Sequence, residues 1–159
     1  MPIYWAISEM MRWLDIPPVW LAGFLLVGWY QANAFSLGLS LGAGWVDLIG
    51  GLLLGGGIVL ILLAVTEMRR QKTTIIPHME ADSLVQSGIF SRSRNPIYLG
   101  DALILTGLLL YWDAVLALVL VPVFVWVIEK RFVIPEEDRL RRKFRADFAR
   151  YAQKVRRWA

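Results

Sequence analysis

Two long stretches without a basic residue set the terms for this chain. Val19 to Leu41 is 23 residues long and carries no charge, and Val46 to Thr66 carries only Asp47, one residue from its start. About 20 apolar residues span the hydrocarbon core of a bilayer, so transmembrane helices are predicted at 19–41 and 46–66. Pro17-Pro18 precedes the first, where a helix's first turn has no use for backbone N–H donors. Gly50, Gly51, Gly55, Gly56 and Gly57 would weaken a soluble helix, yet small residues let membrane helices approach closely. They lack the context of a phosphate-binding loop. Apolar residues make up 57% of the 159, against about 45–50% in soluble domains. The expected class is an all-α, polytopic integral membrane protein forming a single domain.

Glu67 to Asn95 changes character and reads as a polar, membrane-adjacent loop. Residues 96–128 are apolar again, interrupted by Tyr111-Trp112-Asp113, which predicts a helical hairpin with limbs too short for full spans. Pro96 would start it and Pro122 would kink its second limb. Asp101 lies inside the first limb, where an ionisable group normally faces protein or a water-filled cavity. From 129 to 159 the chain is charged, with Leu140, Phe144, Phe148, Tyr151 and Val155 spaced as one stripe of an amphipathic helix. That helix is expected to lie at the interface with Trp158 at headgroup level. Residues 1–16 would form a shorter interfacial segment, and no signal-peptide pattern is seen.

The net charge of +4 is unevenly distributed: five basic residues lie in the 67–95 loop, eleven in the tail, and none at 42–45 or 111–113. The positive-inside rule then places both termini and the loop on the cytoplasmic side of four membrane-inserted helices. A bacterial inner membrane is the expected location. The basic excess is topological and lipid-facing, so nucleic acid is not an expected partner. With no Cys and one His, a thiolate nucleophile, a disulfide and a multi-His metal site are excluded, and no metal is expected.

A hairpin returns the chain to its starting side, so the polar residues before and after it should meet. Arg94, Asn95, Tyr98, Arg131, Glu136 and Glu137 are expected to converge at the cytoplasmic face. Such a cluster suits a reaction between a water-soluble cofactor and a membrane-soluble acceptor. Leu84-Val85-Gln86-Ser87-Gly88-Ile89-Phe90, then Arg94-Asn95-Pro96-Ile97-Tyr98-Leu99-Gly100, resembles the isoprenylcysteine carboxyl methyltransferase family, with its L-V-x-x-G-x-[YF] and R-[HN]-P-x-Y-x-G. After the hairpin, Glu136-Glu137, Leu140, Phe144, Phe148, Tyr151, Val155 and Arg157 keep that family's spacing. The resemblance covers residues 73–158 and extends to phospholipid N-methyltransferases and, more distantly, to membrane sterol reductases.

The resemblance implies S-adenosylmethionine as methyl donor, bound without a Rossmann domain. By motif, Asp82, Leu84, Val85, Phe90, Asn95, Pro96, Ile97 and Tyr98 would line the cofactor pocket, with Glu136 and Glu137 on its polar end. Carboxylates accept hydrogen bonds from ribose hydroxyls or an ammonium, and the faces of Phe90 and Tyr98 attract a sulfonium. Arg94 or Arg131 would hold a carboxylate bidentately, with Arg131 toward the acceptor. Arg145 stands where the family has Gly, Phe148 where it has Tyr, and Asp82 and Asn95 where eukaryotic members have His. The acceptor, a lipophilic small molecule or lipid, is open between carboxylate, amine and thiol. The latter two would need a base, for which Asp101, His78 and Glu129 are the candidates. An NADPH-dependent reductase and a non-enzymatic membrane scaffold are the alternatives.

Overall fold

A computed structural model describes residues 15–74 and 81–159. Among them are five α-helices and no strand: α1 (Pro17–Ala34), α2 (Gly44–Arg70), α3 (Pro96–Tyr111), α4 (Leu120–Ile128) and α5 (Ile134–Lys154). Short tight turns of helix occupy Gly88–Ser91 and Leu116–Val119, and a wide π turn occupies Glu129–Val133. Most of the 1–16 segment and His78 lie outside the described residues.

The expected first span, 19–41, stops early, because α1 ends at Ala34. Its last turn carries Gln31 and Asn33, whose amides donate to Phe35 O and Trp29 O at 3.1 and 2.8 Å. Leu37, Gly38 and Gly42 then take left-handed backbone conformations that no helix can continue through. α2 runs instead to Arg70, past the predicted 66. It closes with Lys72 in the left-handed conformation, while the Thr73 and Lys72 N–H groups return to Met68 O and Arg69 O at 3.1 Å each. At 27 residues it is the one described helix both long and apolar enough to cross a membrane, about 40 Å at 1.5 Å per residue. Its outward face is bare of protein, with Leu48, Leu52, Val59, Leu62 and Leu63 more than half exposed, the composition of a lipid-facing surface.

α2 and α3 pack antiparallel through glycine. A Cβ on Gly57 would stand 2.6 Å from Gly100 O, and one on Gly107 would stand 2.6 Å from Gly50 O. The pairs Gly50/Gly107 and Gly57/Gly100 are seven residues apart on each helix, so two turns of backbone touch backbone. Gly51, Gly55 and Gly56 face open space.

The hairpin reverses between Tyr111 and Leu116, where Asp113 accepts hydrogen bonds from Ser40 Oγ and, at 2.8 Å, from Leu41 N–H. These bonds hold the Asp113 carboxyl below the usual carboxylate range, with the Ser40 bond the larger cause. The two turns without basic residues therefore lie at one end of the bundle. The boundary read at 128/129 is no break, since helix continues from Leu120 through it as far as the bend at Arg145. Pro122 falls in the first turn of α4, where its missing N–H is tolerated, and does not set the bend. The helix widens at Glu129–Val133 just ahead of Pro135, a local π geometry that makes room for a ring with no N–H to give. A second, sharp bend sits at Arg145, with φ 42° and ψ −110°.

The tail's apolar stripe is used for packing within the chain. Phe148, Tyr151 and Val155 are buried against Leu84, Leu140 and Phe144, and Tyr151 Oη donates to Phe90 O at 2.7 Å. Trp158 packs against the α3–α4 core, and its indole N–H reaches Glu129 at 3.3 Å. The stripe packs on the loop of this same chain.

Candidate functional site

A cavity of about 760 Å³ opens between the loop end of α2, the start of α3 and the first turns of α5. Ile61, Val65 and Met68 of α2 form its apolar wall, with Pro17 and Pro18 at the foot of α1. The returning loop supplies Leu84, Val85 and Phe90, and α3 contributes Asn95, Pro96, Ile97, Tyr98 and Asp101. α5 closes the other side with Glu136, Arg139, Leu140, Arg142 and Lys143.

Local sequence explains these positions. Gly88 has φ 58°, and a Cβ there would meet Glu67 Oε2 at 2.9 Å, so the turn that aims Phe90 inward calls for glycine. Thr73 Oγ1 accepts from the Asp82 and Ser83 N–H groups at 3.2 and 3.4 Å, fastening the loop to the end of α2. Pro96 opens α3, where fixed φ and a missing N–H suit the first helical position. Tyr98, one turn in, donates its hydroxyl to Glu136 Oε2 at 3.0 Å. The expected convergence across the hairpin thus occurs between residues 38 positions apart.

The paired acids divide. Glu136 lines the cavity, whereas Glu137 is buried and paired with arginines. Glu137 lies 3.2 Å from Arg94 Nη2 and 2.8 Å from Arg157 Nη2. Arg157 Nη1 continues to Glu129 at 2.6 Å. Its bonds to Glu137 first, and to Glu129, hold the Arg157 guanidinium above the ordinary arginine range. Asn95 lines the cavity, but its amide N–H₂ donates to Arg157 O at 3.0 Å, while Arg94 N–H donates to Arg156 O at 3.0 Å. Together these bonds clasp the 155–158 segment onto the Arg94-Asn95 turn. Arg94 also lines the cavity, and its Nε is buried without a hydrogen-bond partner among the described residues.

Three expected site residues stand away from the cavity wall. Asp82 is exposed, Glu137 belongs to the clasp, and Arg131 is exposed on the π turn. Arg131 Nε bonds Asp15 at 2.6 Å, which raises its pKa above the ordinary value, and its guanidinium lies 5.3 Å from the Trp20 ring centre. The wide π turn rotates Arg131 toward the foot of α1, so it does not converge with Tyr98 and Glu136. Sequence reading missed Thr73, Arg139, Arg142 and Lys143, all of which line the cavity. Arg139, Arg142 and Lys143 share one helix face by their spacing of three and four. That basic face, opposite the apolar α2 wall, was the available signal.

The arrangement offers a carboxylate and aromatic faces for a cation, a basic face for an anion, and an apolar wall for a hydrocarbon chain. Residues 45–147 match the model of the phospholipid methyltransferase family. The chain belongs to that family. The matched span takes in Leu84–Phe90, Arg94–Gly100 and Glu136-Glu137, and membership of a methyltransferase family implies S-adenosylmethionine as methyl donor. No curated protein and no solved structure matches the chain. The family assignment and the one membrane-length helix make this phospholipid methyltransferase family member a membrane-associated methyltransferase.

Proposed function

We propose that the chain is a multi-pass membrane methyltransferase that binds S-adenosylmethionine from the cytoplasmic side and methylates a lipophilic or membrane-embedded acceptor. The observation that carries this reading is the cavity itself: one wall is the lipid-facing helix α2, and the other holds Tyr98–Glu136 and a basic face. Four membrane-inserted helices, with both termini on the basic side in a bacterial inner membrane, fit the positions of the loops and charges. Membrane lipids would surround α1 and α2, and no nucleic acid is involved.

The residues present fit the donor. About 760 Å³ falls within the 300–1,000 Å³ of small-molecule sites. Glu136 would accept hydrogen bonds from the ammonium or ribose hydroxyls. Phe90 and Tyr98 would face the cationic sulfur, and Arg94 Nε or the Arg139–Lys143 face would hold the carboxylate. When bound, S-adenosylmethionine supplies a methyl group already activated on sulfur. The chain's own share is alignment and exclusion of water: α2 and the Phe90 turn wall off the reacting space, and Tyr98 fixes the Glu136 rotamer.

Two acceptor chemistries fit this reading: the carboxylate of an isoprenylcysteine-like molecule, or an amine such as a phospholipid headgroup. The reading is tested by calorimetry of S-adenosylmethionine and its demethylated product on detergent-purified protein, with Glu136→Ala as control. Binding weakened at least tenfold in the variant is expected. Absence of binding of either compound at millimolar concentration overturns the reading. Transfer of labelled methyl into a lipid extract then identifies the acceptor.

A further inference from the structure

Beyond Tyr98 and Glu136 the cavity continues one helical turn along α3, to Asp101. The neighbouring Gly100 packs on Gly57 and Ile61, which puts Asp101 level with Ile61, two turns from Met68 and the loop end of α2. Asp101 is only 6% exposed, yet its carboxyl makes no hydrogen bond or ion pair with any described residue. Ile61, Val65, Ile97, Pro17 and Pro18 line the cavity with it. None has a side-chain donor, and the prolines lack even an N–H. The Tyr98 hydroxyl is given to Glu136. A buried carboxyl with no internal partner is costly in an apolar wall and is normally matched by what enters the cavity.

Resting on the methyltransferase reading, we propose that Asp101 determines acceptor specificity. It receives the N–H groups of an amine-bearing amphiphile whose hydrocarbon chain lies along Ile61 and Val65, and it takes the proton that frees the nitrogen lone pair. One proton passes from ammonium nitrogen to carboxylate oxygen. A cation and an anion become a neutral amine and a carboxylic acid, so charge and atoms balance. The donor's polar groups are served at the loop end, by Glu136, Arg94 and the Arg139–Lys143 face. Asp101 lies past them on the side of the apolar wall, where a membrane-soluble molecule arrives. A carboxylate acceptor would instead meet the carboxyls of both Asp101 and Glu136, which line the same cavity, and would be repelled by them.

The test uses the full chain in nanodiscs of choline phospholipid, with dodecylamine and dodecanoate as probes and binding read by tryptophan fluorescence. Dodecylamine should bind at least tenfold more tightly than dodecanoate. Asp101→Asn should weaken dodecylamine at least tenfold while leaving S-adenosylmethionine affinity within about twofold. Asp101→Leu, which removes the polar group outright, should do the same and serves if Asp101→Asn misfolds. Undiminished amine binding by both variants, or preference for dodecanoate, overturns the assignment. Failure of the wild type to bind S-adenosylmethionine overturns only the methyltransferase reading, because the amine arm is read separately. Nanodiscs containing ethanolamine phospholipid distinguish the source. Competition with dodecylamine assigns the amine to a lipid headgroup, and its absence assigns it to a free amphiphile.

Discussion

Two contacts flank the cavity and are built in opposite ways. The α2–α3 seam is made by missing atoms: four glycines bring backbone against backbone with no side-chain hydrogen bond between them. The clasp beneath it is made by charge, with Glu137 and Glu129 holding Arg94 and Arg157 and tying the 155–158 segment to the Arg94-Asn95 turn. In an apolar surround no hydrophobic force separates one helix pairing from another, so shape selects it. At the polar end water competes for every group, and only a buried, multiply bonded network holds a fixed geometry. The cavity lies where the two meet, and so has one apolar wall and one charged wall.

The largest expected effect separates the paired acids. Glu137→Gln leaves Arg94 and Arg157 without their shared carboxylate and should cost about 3 kcal/mol, read as a lower thermal midpoint in detergent. Glu136→Gln should leave that midpoint nearly unchanged while weakening S-adenosylmethionine binding about tenfold by calorimetry. Equal loss of stability in both variants would erase the division. Next, Gly57→Ala should destabilise by about 1–3 kcal/mol through overpacking, whereas Gly56→Ala, which meets nothing within 4 Å, should be neutral. If thermal unfolding finds the two alike, the seam is not tight.

Smaller effects sharpen the polar end. Arg145 holds φ 42° and ψ −110°, a region comfortable only for glycine. Arg145→Gly should therefore raise stability by about 1–2 kcal/mol; a lowered midpoint would mean the bend carries no strain. Asn95→Ala removes one hydrogen bond to Arg157 O and should cost about 1 kcal/mol. Faster amide exchange confined to residues 155–158 should accompany it, and unchanged exchange there would show that Asn95 does not hold the clasp.

Much of the site was legible because motif spacing encodes it. Leu84, Val85, Phe90, Asn95, Pro96, Ile97, Tyr98 and Glu136 all reach the cavity. Arg131 did not follow, because a π turn changes which face of a helix a residue occupies and leaves no periodic trace in the sequence. Asn95 and Glu137 were legible as polar motif residues, but their partners lie in a segment some 20–60 positions away. The departure at Arg145 was visible as a missing glycine, and only the backbone angle gave it a physical meaning.

Taken alone, the sequence determined the helical class, the membrane-length α2, the polar loop and the pairing of motifs across a hairpin. Hydrophobic run length, charge placement and short-range spacing are properties of the chain itself. Tertiary structure decided which glycines touch, which of two adjacent acids faces the cavity, that the tail stripe packs on the Phe90 loop, and that Asp101 lines the cavity with no partner among the described residues. Each of those depends on the rotation of one helix against another, and a linear pattern does not specify that rotation.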